Sequence, residues 1–134
     1  MEVTDLILAD YAAANEGGKF TLVGAGITGI TATKLPCIHP LMFLLVRFKA
    51  TRQDIGRNRF DIRMIGEKGT VFKAEGGLEI SSQQEGEQYF PMPIQLVNLK
   101  FEDVGDYSIE VRINSELKQS QNLKIKFPQP SANI

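Results

Sequence analysis

Asp103-Val104-Gly105-Asp106-Tyr107-Ser108-Ile109-Glu110-Val111-Arg112-Ile113 decides the reading of the chain. From Tyr107 onward, apolar and polar residues alternate. Tyr107, Ile109, Val111 and Ile113 fall on one side, and Ser108, Glu110 and Arg112 on the other. Side chains along a strand point to opposite faces with period two, so this pattern predicts a half-buried strand. Gly105, just before it, is turn chemistry.

The same period recurs on both sides. Phe60, Ile62 and Met64 interleave with Arg59, Asp61 and Arg63, and Leu123, Ile125 and Phe127 with Lys124 and Lys126. Residues 41–50 are apolar almost throughout, but Arg47 and Lys49 set the parity and turn Leu44, Val46 and Phe48 towards the core. Such density predicts a central strand with its outer face partly covered. Further strands are expected near 3–12, 19–25, 70–79 and 89–97. Glu16-Gly17-Gly18, residues 66–69, Gly76-Gly77 and Asn114-Ser115 read as turns. Pro91 and Pro93 cannot donate to a ladder, so their strand is expected to be an edge or to begin irregularly. No stretch holds a 3.6-residue apolar stripe long enough for a helix. About eight short strands without crossover helices predict an all-β, antiparallel sandwich. It forms one domain over 1–127, with a polar Gln-rich loop at 81–88 and a flexible tail at 128–134.

Asp103-x-Gly105-x-Tyr107 resembles the tyrosine corner of immunoglobulin-like domains. There the Tyr hydroxyl bonds back to upstream backbone and locks the turn into the next strand. The following strand, hairpin and final strand match the order expected of such a sandwich. The position two residues after the Tyr is Ile109 rather than cysteine, and the chain has no Trp, so an antibody-type domain is excluded.

Composition removes several function classes. The chain has 134 residues, 15 basic and 16 acidic, with a formal net charge of -1. Nucleic-acid binders draw affinity from clustered Lys and Arg; here Arg47, Lys49, Arg52, Arg57, Arg59 and Arg63 fall on solvent faces and a loop. Cys37 stands alone, so no internal disulfide forms, and a reducing compartment is expected. Ala12-Ala13-Ala14 imitates a signal cleavage site, but Glu2 and Asp5 stand where a cationic segment belongs. No apolar run reaches the roughly 18 residues of a membrane span. The reading is a cytoplasmic protein without membrane or nucleic-acid partners.

Gly24, Gly26 and Gly29 form a G-x-G-x-x-G pattern after a strand-like run, close to the FAD-binding start of flavin amine oxidases. That motif needs a helix opening at its glycines and an acidic residue about 20 positions on. Thr31, Thr33, Pro36 and Pro40 oppose the helix, and Phe48 stands where the acid belongs. A Gly-punctuated strand is the reading, with dinucleotide binding a remote alternative. His39 is the single histidine, so Cys37 and His39 make a poor dyad beside Pro40. Asp5, Asp10, Asp103 and Asp106 are scattered turn residues, with a loop Ca²⁺ site the alternative. No cofactor and no catalytic residue is assigned.

Leu8-Ala9-Asp10, Gly18-Lys19, Leu22-Val23-Gly24, Leu35-Pro36, His39-Pro40, the strand closing on Arg47 and Gly105-Asp106-Tyr107 together resemble a family of short bacterial and phage immunoglobulin-like β-sandwich proteins of unknown function. The resemblance implies the fold and no activity. The expected function is a non-enzymatic interaction module that binds a protein partner or itself. A structural part of a larger assembly, such as a phage particle, or a ligand-binding module is the alternative. The expected interface is Leu41, Phe43 and Leu45, which point away from the core side of their strand and would support a homo-oligomer through this face or the 3–12 edge. The competing expectation is that residues 24–40 fold over that face within one chain.

Overall fold

The computed structural model describes residues 1–81 and 86–129. The strands are β1 (Glu2–Ala14), β2 (Phe20–Ala25), β3 (Gly29–Thr31), β4 (Cys37–Ala50), β5 (Gly56–Gly66), β6 (Gly69–Ile80), β7 (Gln88–Phe101), β8 (Gly105–Ile113) and β9 (Glu116–Lys126). They form two sheets, ordered β2-β1-β4-β7 and β3-β9-β8-β5-β6. The chain is an all-β sandwich of nine described strands. The strand that alternation missed is β3, whose three residues are too few to show a period. It runs parallel to β9, so the second sheet is mixed and not wholly antiparallel. The loop expected at 81–88 lies partly, and the tail at 128–134 mostly, outside the described residues.

Apolar parity sets which side meets the core. Leu44, Val46 and Phe48 from β4 are fully buried against Ile62 and Met64 from β5 and Ile109, Val111 and Ile113 from β8. Leu123 and Ile125 join them, whereas Phe127 lies past the end of β9 and is exposed. Pro91 and Pro93 do stand on an edge strand, since among the described strands β7 pairs with β4 alone. Asn98 adopts φ 52°, and across it the parity of β7 changes. Val97 points out, while Leu99 and Phe101 point into the core.

Two turn expectations divide. Asn114 and Ser115 both take positive φ, 51° and 70°, in the two-residue turn joining β8 and β9, which suits the twist of a tight hairpin. Gly76-Gly77 is not a turn; both lie within β6. Gly76 pairs with Phe60, and a Cβ at Gly76 would stand 2.6 Å from the Phe60 ring. The glycine makes room for an aromatic ring.

The tyrosine corner sits at the start of β8. The Tyr107 hydroxyl donates to the Asp103 carbonyl at 2.7 Å and accepts from the Asp103 N–H at 3.3 Å. Its ring packs edge-on against Phe101 with centroids 5.0 Å apart. Gly105, between the two partners, has φ 132°, a conformation that favours glycine.

At the far end of the sandwich Asp54 closes a single 3-10 turn. Its carboxylate accepts from the Thr51 N–H at 2.8 Å and from the Met1 ammonium at 2.6 Å. Burial alone would raise the Asp54 pKa; the hydrogen bond from the Met1 ammonium and that from Thr51 outweigh it, and the pKa lies below the usual value. A carboxyl depressed by folding adds stability above its unfolded pKa, and that stability is lost as pH falls through the folded value. Wild type and Asp54→Asn should therefore differ in melting temperature at neutral pH and converge in strong acid. A constant gap across that range would contradict this assignment.

Candidate functional site

The two outer faces of the sandwich differ in chemistry. On the second sheet, three adjacent strands each carry an ion pair two residues apart: Lys73–Glu75 at 2.8 Å on β6, Arg63–Asp61 at 3.2 Å on β5 and Arg112–Glu110 at 2.9 Å on β8. Register sets Arg63 between Lys73 and Glu110, and Asp61 between Glu75 and Arg112. The hydrogen bond from Lys73, with its charge, holds the Glu75 carboxyl below the usual range. Ion pairs along the strands therefore occupy the middle of this face, although Asp61 Oδ1 and Arg63 Nε, buried and 3.2 Å apart, make no hydrogen bond.

The first sheet's outer face carries Ile7, Ala9 and Tyr11 from β1, Leu41, Phe43 and Leu45 from β4, and Pro93, Gln95 and Val97 from β7. Charge stands at its two ends, with Lys100, the partner of Ile38, at one and Asp5, Arg47 and Lys49 at the other. The expected patch of Leu41, Phe43 and Leu45 is not uniformly exposed. Leu41 is 45% exposed, Phe43 half-buried and Leu45 fully buried, although Leu45 lies outside the core cluster.

The cover is the β1–β2 hairpin. Beyond Ala9, which pairs with Phe43, β1 pairs only with β2. Continued straight, the hairpin would carry Phe20, the partner of Ala14, about 16 Å past Ala9. Arg47 lies the other way along β4, about 13 Å from Phe43. Yet the Arg47 guanidinium stacks on Phe20, 5.1 Å from the ring centroid, and its Nη1 donates to the Gly18 carbonyl at 3.2 Å. Gly18 also abuts Tyr89 of β7, and β1 touches β7 although β4 lies between them. The hairpin therefore doubles back over its own sheet and buries Ala9, Ala12 and Leu45. The cover comes from residues 10–25 and not from 24–40. Nor is β1 a free edge along its second half, where β2 flanks it.

The bend has a local cause. Ala9 pairs with Ala25 and Tyr11 with Val23, but Asp10 and Gly24 between them do not pair. Gly24 has φ 61°, and a Cβ there would collide with the Asp10 carboxylate. Gly29 opens β3, and strand stands where the dinucleotide motif needs a helix.

Arg47 fastens the bent hairpin. Its Nε donates to Asp5 at 2.8 Å and Thr4 at 3.0 Å, and its guanidinium lies between Phe20 and Tyr89, 5.0 Å from the latter's centroid. Arg47→Met keeps the stem and removes the bonds and both cation–π contacts. Thermal unfolding should show a loss of about 1–2 kcal/mol; an unchanged melting temperature would mean that the clamp carries no load.

What stays open is the far half of the face. Leu41 and Val97 are direct cross-strand partners, 45% and 56% exposed. Ile38, 57% exposed, lies on the same strand as Leu41, and Tyr11 and Val23, 48% and 55%, pair on the hairpin beside it. Tyr11 packs edge-on against Phe43 with centroids 5.2 Å apart, so the hairpin's exposed ring borders the open part of the sheet face. Gln95 and Lys100 border it. Sequence reading found Leu41 and Phe43 and missed Tyr11, Val23, Ile38 and Val97, which only the fold brings together.

Of the other candidates, Cys37 and His39 line one cavity and the carboxylates are engaged elsewhere. Cys37 packs half-buried against the core, and His39 is two residues along the same strand. Asp5 pairs with Arg47, Asp103 with Lys68 at 3.1 Å, and Asp106 accepts from Asn122 at 3.1 Å. Among the described residues, no three His, Cys, Asp or Glu side chains gather to hold a metal, and no helix is long and apolar enough to cross a membrane.

The profile of a family of unknown function (DUF6941) matches residues 4–126. No curated protein matches the chain.

Proposed function

Because the chain belongs to the DUF6941 family, whose membership brings no activity with it, we propose on physical grounds that it is a non-enzymatic binding module with a protein partner. One observation carries this: the uncovered half of the first sheet's outer face presents Ile38, Leu41 and Val97, each at least 45% exposed, with the exposed Tyr11 of the hairpin packed on Phe43 beside them. Contiguous exposed apolar surface on a soluble domain marks an interaction site, and aromatic and aliphatic anchors of this kind carry most interface energy. The ion-paired opposite face offers no such driving force.

The sandwich is read here as immunoglobulin-like. In support, the tyrosine-corner bonds precede the penultimate strand, β8 and β9 close the chain as a hairpin, and β3 lies parallel to the last strand.

A photo-crosslinking side chain at Val97 tests the binding reading in the native host, with the same group at Glu75 as control. Adducts from Val97 and none from Glu75 are expected. Adducts from both positions alike, or from Glu75 alone, would overturn it, as would none from either.

A further inference from the structure

We infer that the β1–β2 hairpin is a hinged flap that two copies of the chain exchange. This goes beyond the binding reading and uses the covered half of the face rather than the open half.

Three observations carry it. The flap has a hinge: Asp10 and Gly24 leave the β1–β2 ladder unpaired, Gly24 is at φ 61° and Gly26 at φ 93°. Beyond that break the pairing from Tyr11↔Val23 to Ala14↔Phe20 is continuous, which makes the hairpin a single unit, and before it only Ala9↔Ala25 ties the strands. Second, the flap itself contributes few apolar side chains to its hold, which rests on Leu45 beneath it and Arg47 at its tip. Ala12, its buried residue, offers a single methyl group, and Leu22 and Phe20 are only half-buried. Small side chains remove little apolar surface from water, which leaves Arg47 as the main fastening at the tip. Third, the surface beneath is a binding surface by construction. Leu45 and Ala9 are fully buried yet stand apart from the core between the sheets, so they need the flap and the core does not need them.

The structure also names the occupant of that surface. What fits over Leu45 and Ala9, with its tip against Arg47 and Tyr89, is this hairpin. A second copy carries it, and on exchange each contact re-forms between chains with only the hinge changed. A net charge of -1 puts little repulsion between two copies. Closed flaps prevail in dilute protein, because the tethered hairpin is always at high local concentration.

Gly24→Ala tests the inference. An alanine is strained at φ 61° and its Cβ meets the Asp10 carboxylate, so the bend is disfavoured while the straight hairpin is not. Sedimentation should show the monomer–dimer constant shifted towards dimer by about tenfold or more relative to wild type. Benzoyl-phenylalanine at Phe20 should then give adducts of twice the chain mass in the variant and adducts within one chain in dilute wild type. A folded, monomeric Gly24→Ala protein would overturn the inference, and so would a dimer whose Phe20 adducts stay within one chain. If Gly24→Ala alone does not fold, Asp10→Ala/Gly24→Ala, which removes the colliding carboxylate and keeps the strain, is decided by the same two readouts.

Discussion

Leu45→Ala is expected to cost about 2–5 kcal/mol, the range for truncating a fully buried leucine. Leu41→Ala, four residues earlier on the same face, should stay within about 0.5 kcal/mol. The contrast is informative because the core between the sheets contributes to neither effect. Both side chains point away from it, and what separates them is the hairpin that covers one and not the other. Chemical denaturation of the two variants measures the difference directly. Equal small effects would mean that Leu45 is in water and that the hairpin does not lie on the sheet.

Tyr107→Phe should cost about 1–3 kcal/mol. The hydroxyl serves the Asp103 carbonyl and N–H together, and both belong to the turn between β7 and β8. Phenylalanine keeps the packing on Phe101, so the change isolates the hydrogen bonds. Both bonds are partly buried, and a backbone group that loses its partner there costs free energy. A melting curve that overlays wild type would show the hydroxyl to be already exchanged for water.

The tyrosine corner was legible because its partners stand within five residues of sequence, Asp103 to Tyr107. Strand parity was legible for a similar reason. Residues 107–113 and 44–48 announce their inward side by local alternation, and nothing distant needs to be known. The two sheets followed from that, though β3 did not. The face of β4 opposite the core was legible only as a question: Leu41, Phe43 and Leu45 had to be covered or exposed. The answer lies in contacts remote in sequence, Arg47 to Gly18 and Phe20 to Arg47 to Tyr89, which alternation does not encode. A faint signal was present in Gly24, which opposes Asp10 in the hairpin, and in the small side chains of Ala12, Ala13 and Ala14. Small residues that let a hairpin lie close to a sheet look the same in sequence as a cleavage site or an edge. The glycines that imitate a dinucleotide motif are likewise explained by the bend at Gly24 and the entry into β3 at Gly29, both tertiary facts.

The account rests on a sheet face divided into a covered half and a free half, with the free half as the place where a partner binds. Side-chain footprinting by hydroxyl radicals, on purified protein and again in an extract of the native host, tests that division most directly. In the purified protein Leu41 and Val97 should be modified and Leu45 protected. In the extract Leu41 and Val97 should become protected too, while Leu117, exposed on the other sheet, stays reactive. Leu45 reacting as fast as Leu41, or Leu41 and Val97 reacting equally in both settings, would contradict it.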